Sequence, residues 1–257
     1  MANTSVNPDP NCGTAQNVRP ARIDWPGGVV SFTFDDFPKS ALSVGGALLS
    51  NHGSRGTYYV SLGTLGTEAP VGLLCEIDEV RAAHRDGHEV ACHTWSHLNC
   101  ELASTEEILK DVETNTEAFA AALDGYAPVN FAFPFGAISP NAKLVLAPRF
   151  ASCRGIQYGT NSGVVDLASL ASTHVYARDF DAAALCALID RNRELGGWLI
   201  FYTHDITESP SLYGCTPAQL ETLIAYAAAQ SEILPVRDVM SRMSPGAGAR
   251  QGQATSG

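Results

Sequence analysis

The chain has 257 residues, 45% hydrophobic and 17% charged, with a formal net charge of -11. That composition excludes disorder of the whole chain and suits one large α/β domain with a sizeable core. Lys and Arg total 16 against 27 Asp and Glu, which argues against nucleic acid as a partner, since a phosphate-binding surface needs clustered cations. There is no run of 18 apolar residues, so no membrane span is expected. Met1 to Pro20 is polar, with no basic segment leading into an apolar stretch, so no secretory signal and a cytoplasmic location are expected. The seven cysteines (Cys12, Cys75, Cys92, Cys100, Cys153, Cys186 and Cys215) are scattered and contain no Cys-x-x-Cys pair, which favours reduced thiols.

In chain order, residues 1–24 read as an irregular lead-in, followed by one domain over 25–243 and a small, polar tail at 244–257. Within the domain, a strand at 29–35 precedes a helix at 39–51, a strand at 56–60 and a Gly-rich loop at 61–72. A helix at 75–86, a strand at 89–93 and a helix at 104–123 come next; Ser104 or Thr105 can cap the last of these, with glutamates in its first turn. Strands at 130–135, 151–156 and 173–177 lead to a helix at 181–195 and a strand at 197–204. Thr216-Pro217 starts a helix over 216–230, and a last strand is expected at 233–237. This alternation predicts a mostly parallel sheet with helices outside it, closed or nearly closed into a barrel. In such barrels chemistry collects at the C-terminal ends of the strands.

Ionisable residues stand at those ends. The first strand ends in Asp35-Asp36, two carboxylates that repel each other and are costly to desolvate. A nearby cation would relieve both problems, although a turn or helix N-cap is an equally open reading. The strand at 89–93 ends in His93-Thr94-Trp95-Ser96-His97, and two imidazoles four residues apart on one side of a helical turn can reach one metal ion. Two histidines and a carboxylate make a facial metal site with open positions. The strand at 197–204 ends in His204-Asp205, and the Pro134-Phe135-Gly136 turn can offer a backbone N–H to a ligand. His52, His84, His88 and His174 carry no such context and read as structural.

Thr33-Phe34-Asp35-Asp36, His93-Thr94-Trp95-Ser96-His97, Phe131-Ala132-Phe133-Pro134-Phe135-Gly136 and the strand ending at His204 together resemble the polysaccharide deacetylases with NodB homology, the family-four carbohydrate esterases. The resemblance spans roughly residues 28–240. It implies a distorted (β/α)7 barrel and metal-dependent removal of acetyl groups from an acetylated oligo- or polysaccharide. By position, Asp36, His93 and His97 would hold a divalent metal ion, most simply Zn²⁺, with Co²⁺, Fe²⁺, Ni²⁺ or Mn²⁺ as alternatives. Asp35 would be the general base, His204 the general acid, and the Phe135 N–H the oxyanion donor. The family's third motif often begins with an Arg that orients the base, and here Phe131 or Ala132 stands there. Arg154 and Arg178 are the candidates to replace it, and the family's Trp-containing fourth motif is not recognisable. Competing readings are a non-haem iron oxygenase, a structural zinc site that would include Cys92 and Cys100, a catalytically degenerate sugar-binding relative and a hydrolase of a non-sugar amide.

Overall fold

The structure, a computed structural model, describes residues 18–243. It begins with β1 (Pro20–Ile23) and β2 (Val29–Phe34), then a π-helical stretch, Ala41–Gly46, that runs into α1 (Ala47–Asn51). Next come β3 (Thr57–Val60), the hairpin β4 (Glu68–Ala69) and β5 (Gly72–Leu73), α2 (Ile77–Arg85), β6 (Glu89–Cys92) and α3 (Thr105–Ala122). The middle of the chain carries β7 (Asn130–Ala132), α4 (Pro140–Leu146), β8 (Ser152–Arg154), β9 (Gly163–Asp166) and β10 (Thr173–His174). It ends with α5 (Ala182–Leu195), β11 (Trp198–Thr203), α6 (Pro217–Gln230), β12 (Glu232–Ile233) and α7 (Val236–Met243).

Seven strands form one parallel sheet in the order β10-β11-β2-β3-β6-β7-β8, with β12 added beside the start of β2. The sheet curls until its two ends approach: Arg154 of β8 bridges Leu170, just before β10, and Gly155 N–H donates to the Leu170 carbonyl. This curled, seven-stranded parallel sheet is the distorted (β/α)7 barrel that the family resemblance implies. β2 and β11 are buried along their whole length, as expected for parallel strands covered on both faces.

Strand alternation then decides what faces the barrel interior. Val30, Phe32 and Phe34 of β2 pack with Leu199 and Phe201 of β11 into the main core, which includes Leu220, Leu223 and Ile224 of α6. The opposite parity carries Ser31 and Thr33 and, two residues on, Asp35; on β6 it carries Glu89, Ala91 and then His93. Tyr59, Ala91 and Ala132 make a small apolar cluster inside. Below it, the first residues of three strands form a polar floor: Glu89 accepts hydrogen bonds from Thr57 Oγ1 (2.8 Å) and Asn130 Nδ2 (2.6 Å).

That floor explains one departure from expectation. Residues 233–237 do not form a strand beyond Ile233, because the Arg237 N–H donates to Glu89 and the Val236 N–H to Thr57 Oγ1. Those bonds satisfy the open N-terminus of α7, which follows Pro235 directly. The described part of the expected irregular lead-in, residues 18–24, contains a strand. Residues 20–23 form β1, held antiparallel to β9, and the Asp166 carboxylate accepts the Val18 and Arg19 N–H groups. The loop over 61–72 holds a short helical turn and most of the β4–β5 hairpin. Ser104 caps α3 in a reciprocal pair with Glu107, and Thr216 caps α6 with Gln219. The six described cysteines are all unpaired; Cys12 and the tail at 244–257 lie outside the described residues.

His88, beside this floor, is buried with Nδ1 accepting the Gly56 N–H at 3.0 Å, and burial pushes its pKa down to about 4. The unfolded chain therefore binds a proton at His88 that the folded protein resists between about pH 6.5 and 4. His88 stabilises the fold above that window, and the contribution is lost as pH falls through it. His88→Asn keeps an acceptor for Gly56 but cannot titrate. Urea midpoints measured from pH 7 to 4 should fall less steeply in this variant than in the parent protein.

Candidate active site

The consecutive carboxylates at the end of β2 are separated by partner. Asp35, on the interior parity, receives Arg154 Nη2 at 2.5 Å from both of its oxygens. Arg154 is fully buried, and its guanidinium lies between two phenol rings, with Cζ 5.0 Å from the centroids of both Tyr59 and Tyr202. Burial alone would lower its pKa, but the charge and hydrogen bond of Asp35, together with Tyr59 and Tyr202, outweigh burial and raise it. The chain then bends sharply, with φ of 61° at Asp36 and 54° at Phe37, which turns Asp36 to the rim. There Asp36 Oδ1 lies 3.1 Å from His97 Nε2 and 3.6 Å from His93 Nε2, while Oδ2 lies 3.9 Å from His204 Nε2. Burial would raise the pKa of Asp36, yet the hydrogen bond from His97 and the charges of His93, His97 and His204 hold it well below the usual carboxylate range.

His93 presents one defined nitrogen to this centre. Its Nδ1–H donates to the Ala132 carbonyl at 2.8 Å, which leaves the Nε2 lone pair facing Asp36. Burial pushes its pKa down to about 4, so the imidazole is neutral, as a metal ligand must be. His97 reaches the same point by a route the sequence did not suggest. Residues 93–97 are an irregular loop rather than a helical turn, bent by positive φ at Thr94 (63°) and His97 (57°). Asp111 of α3 pins the loop by accepting the Trp95 N–H (2.6 Å), the Ser96 N–H (3.0 Å) and Ser96 Oγ (2.8 Å). Among the described residues, six besides glycine have positive φ, and Asp36, Phe37, Thr94, His97 and Phe135 all lie here. Such backbone costs roughly 1–3 kcal/mol per residue and persists only where surrounding contacts impose it.

Donor atoms of Asp36, His93 and His97 all lie within 4.8 Å of one another. Two imidazole nitrogens 3.1 and 3.6 Å from one carboxylate oxygen fit a divalent cation of the Zn²⁺ type. Cys92 and Cys100 turn away from this centre into a separate core cluster with Phe131 and Phe133, and Asn115 Nδ2 donates to the Cys92 sulfur. They take no part in the cluster.

A cavity of about 740 Å³ opens above these groups, lined by Asp35, Asp36, His93, His97 and His204. His204 Nδ1–H donates to the Tyr213 carbonyl at 3.1 Å and leaves Nε2 toward Asp36. Asp205 beside it instead accepts Ser211 N–H and Oγ. Phe135 sits at φ 60°, 63% exposed as a residue, with its ring edge-on to His97 and the centroids 4.3 Å apart. Arg178 does not reach Asp35: it lines the outer wall, over the rings of Tyr176 and Tyr213, with Nε 3.8 Å from Asp179. Arg154, one strand beyond Ala132, occupies the place beside Asp35 because β8 pairs in register with β7 and carries residue 154 on the interior parity. Tyr176, Tyr202 and His174 also line the cavity; the sequence reading set His174 aside and did not single out the tyrosines. Alternation along the strand at 197–204 could have placed Tyr202 inside. Nothing in the sequence marks Asp111.

The sequence profile described as polysaccharide deacetylase matches residues 23–148, about half of the chain. That segment contains Asp35, Asp36, His93, His97 and Phe135. Residues 23–148 belong to the polysaccharide deacetylase family. The chain is 29% identical over 111 residues to the peptidoglycan-N-acetylglucosamine deacetylase PgdA of Listeria monocytogenes. The matched region is 43% of this chain and 22% of the Listeria protein, so the chain spans less than a quarter of that relative's length. In fold it is similar to a structure from Mycobacterium smegmatis named as a polysaccharide deacetylase, with a TM-score of 0.60 at 17% identity over 89% of this chain and 95% of the other. A family 4 acetyl xylan esterase from Clostridium thermocellum, in complex with a cobalt ion, gives 0.55 at 18% identity over 83% and 91% of the two chains.

Removing the Asp111 carboxylate should loosen the loop that holds His97 while leaving the barrel intact. Asp111→Ala is expected to weaken metal binding about 10–100-fold, read by competition with a chromophoric chelator, with an unchanged far-ultraviolet circular dichroism spectrum.

Proposed function

We propose that this chain hydrolyses the acetyl group from an acetylated oligo- or polysaccharide, most simply an N-acetylated one. The observation that carries the reading is the pairing of the two carboxylates at the end of β2: Asp35 with Arg154, and Asp36 with His93 and His97. Asp36, His93 and His97 would hold the divalent ion, which as a Lewis acid polarises the carbonyl and makes water a stronger nucleophile.

The chain's own groups account for the proton transfers. Asp35 takes a proton from water as its oxygen attacks the acetyl carbon, and Arg154 holds that carboxylate in one orientation. The Phe135 N–H donates to the carbonyl oxygen as negative charge builds there. His204 Nε2 gives a proton to the sugar nitrogen as the C–N bond breaks, and the Tyr213 carbonyl fixes the imidazole through Nδ1. The products are acetate and the free amine.

The test is acetate release from N-acetylglucosamine oligomers and acetylated xylan, with and without chelator. Release that stops on chelation and returns with Zn²⁺ is expected; release that is indifferent to chelation contradicts the reading. His204→Ala should lower kcat about 10²–10⁴-fold with a much smaller change in KM, as removal of a general acid does. Arg154→Met should also lower kcat at least tenfold, whereas an Arg154 of merely structural value would leave kcat unchanged in the folded variant.

A further inference from the structure

Arg178 is the only Lys or Arg among the described residues that line the cavity. The other arginine near the chemistry, Arg154, is committed to Asp35. The Arg178 side chain is 46% exposed and preorganised, its Cζ lying 5.1 Å from the Tyr176 ring centroid and 5.7 Å from that of Tyr213. Its one carboxylate neighbour is Asp179, which approaches Nε at 3.8 Å, beyond hydrogen-bonding distance. Asp179 Oδ2 is instead bonded to His174 Nε2 at 3.1 Å. Among the described residues, neither terminal nitrogen of Arg178 has a hydrogen-bond partner.

A planar guanidinium held over phenol rings, with both terminal nitrogens free, matches a carboxylate through two parallel hydrogen bonds. Its place is defined relative to the chemistry. One of the two rings under Arg178 belongs to Tyr213, whose carbonyl accepts His204 Nδ1–H, and the His204 and Tyr213 ring centroids are 5.8 Å apart. Arg178 Cζ therefore lies within about 11.5 Å of the His204 ring centroid, inside the reach of a substituent on the reacting sugar or on its neighbour. The chain as a whole carries a net charge of -11, so its long-range field does not draw in anionic polymers. A single cation on the cavity wall acts at short range, as a selector.

Resting on the deacetylase reading above, we infer that Arg178 is a specificity-determining residue that binds a carboxylate on the substrate, carried by the sugar that bears the reacting acetamide or by its neighbour. Two sources share this chemistry: a lactyl ether on an N-acetylated sugar, and the C6 carboxylate of a uronic acid.

The experiment compares kcat/KM for neutral N-acetylglucosamine tetramer, for a peptide-free glycan of alternating N-acetylglucosamine and its lactyl ether, and for one alternating N-acetylglucosamine with uronic acid. Each is measured with the wild type, Arg178→Gln and Arg178→Lys. One carboxylated glycan should be preferred over the neutral one by tenfold or more, and whichever it is identifies the source. Arg178→Gln should reduce that preference at least tenfold through KM, and Arg178→Lys should restore part of it. Equal use of neutral and carboxylated glycans by the wild type, or a preference that survives Arg178→Gln, overturns the assignment. If no glycan releases acetate, the deacetylase reading fails; calorimetric affinities of wild type and Arg178→Gln for the same three glycans then decide the carboxylate assignment by the same ratio.

Discussion

Two consecutive carboxylates at the end of a buried strand cannot both be left bare, and the site is organised around that constraint. Strand alternation sends Asp35 inward, where the sheet's curl brings Arg154 from β8 across the barrel to meet it. The positive φ at Asp36 and Phe37 sends the second carboxylate to the rim, among three imidazoles. Each partner is committed in turn: Arg154 lies between Tyr59 and Tyr202, His93 is fixed by the Ala132 carbonyl, and the His97 loop is held by Asp111. The strain of the bends is offset by these contacts, which is why, among the described residues other than glycine, positive φ gathers here and elsewhere only at Asp124.

The barrel contributes position rather than chemistry. Its polar floor around Glu89 and its core of β2, β11 and α6 fix the strands in register, and the register decides which residue stands beside which. Arg154 meets Asp35 because β7 pairs with β8 at Ala132–Arg154, one residue from the Phe133 that starts the rim turn. A one-residue slip in that pairing would turn the guanidinium outward. The arginine beside Asp35 thus comes from β8, the strand adjacent to the one that leads into the Phe133 turn.

Much of this was legible in the sequence, for identifiable reasons. Asp35, Asp36, His93 and His204 each follow an apolar strand closely, so the strand pattern alone placed them at one end of the barrel. The helix starts at Ser104 and Thr216 were readable because capping is local chemistry. Other features depended on partners distant in sequence. The choice between Arg154 and Arg178 needed the closure of the sheet, and Asp111 is only one acidic residue in a charged helix until the loop it holds is seen. The expected helical turn at His93–His97 failed because positive φ at Thr94 and His97 leaves no trace in a four-residue spacing. Residues 233–237 failed as a strand because Glu89 and Thr57, far back in the chain, satisfy the start of a helix there.

The central claim is that the two adjacent carboxylates have different work, one holding the metal and the other moving the proton. The most direct test is to load Asp35→Asn and Asp36→Asn with Zn²⁺, remove free metal by gel filtration, and measure bound zinc and acetate release on the same samples. The account predicts one equivalent of zinc and little turnover for Asp35→Asn, and loss of both for Asp36→Asn. Stoichiometric zinc on Asp36→Asn, or its loss from Asp35→Asn alone, would contradict it.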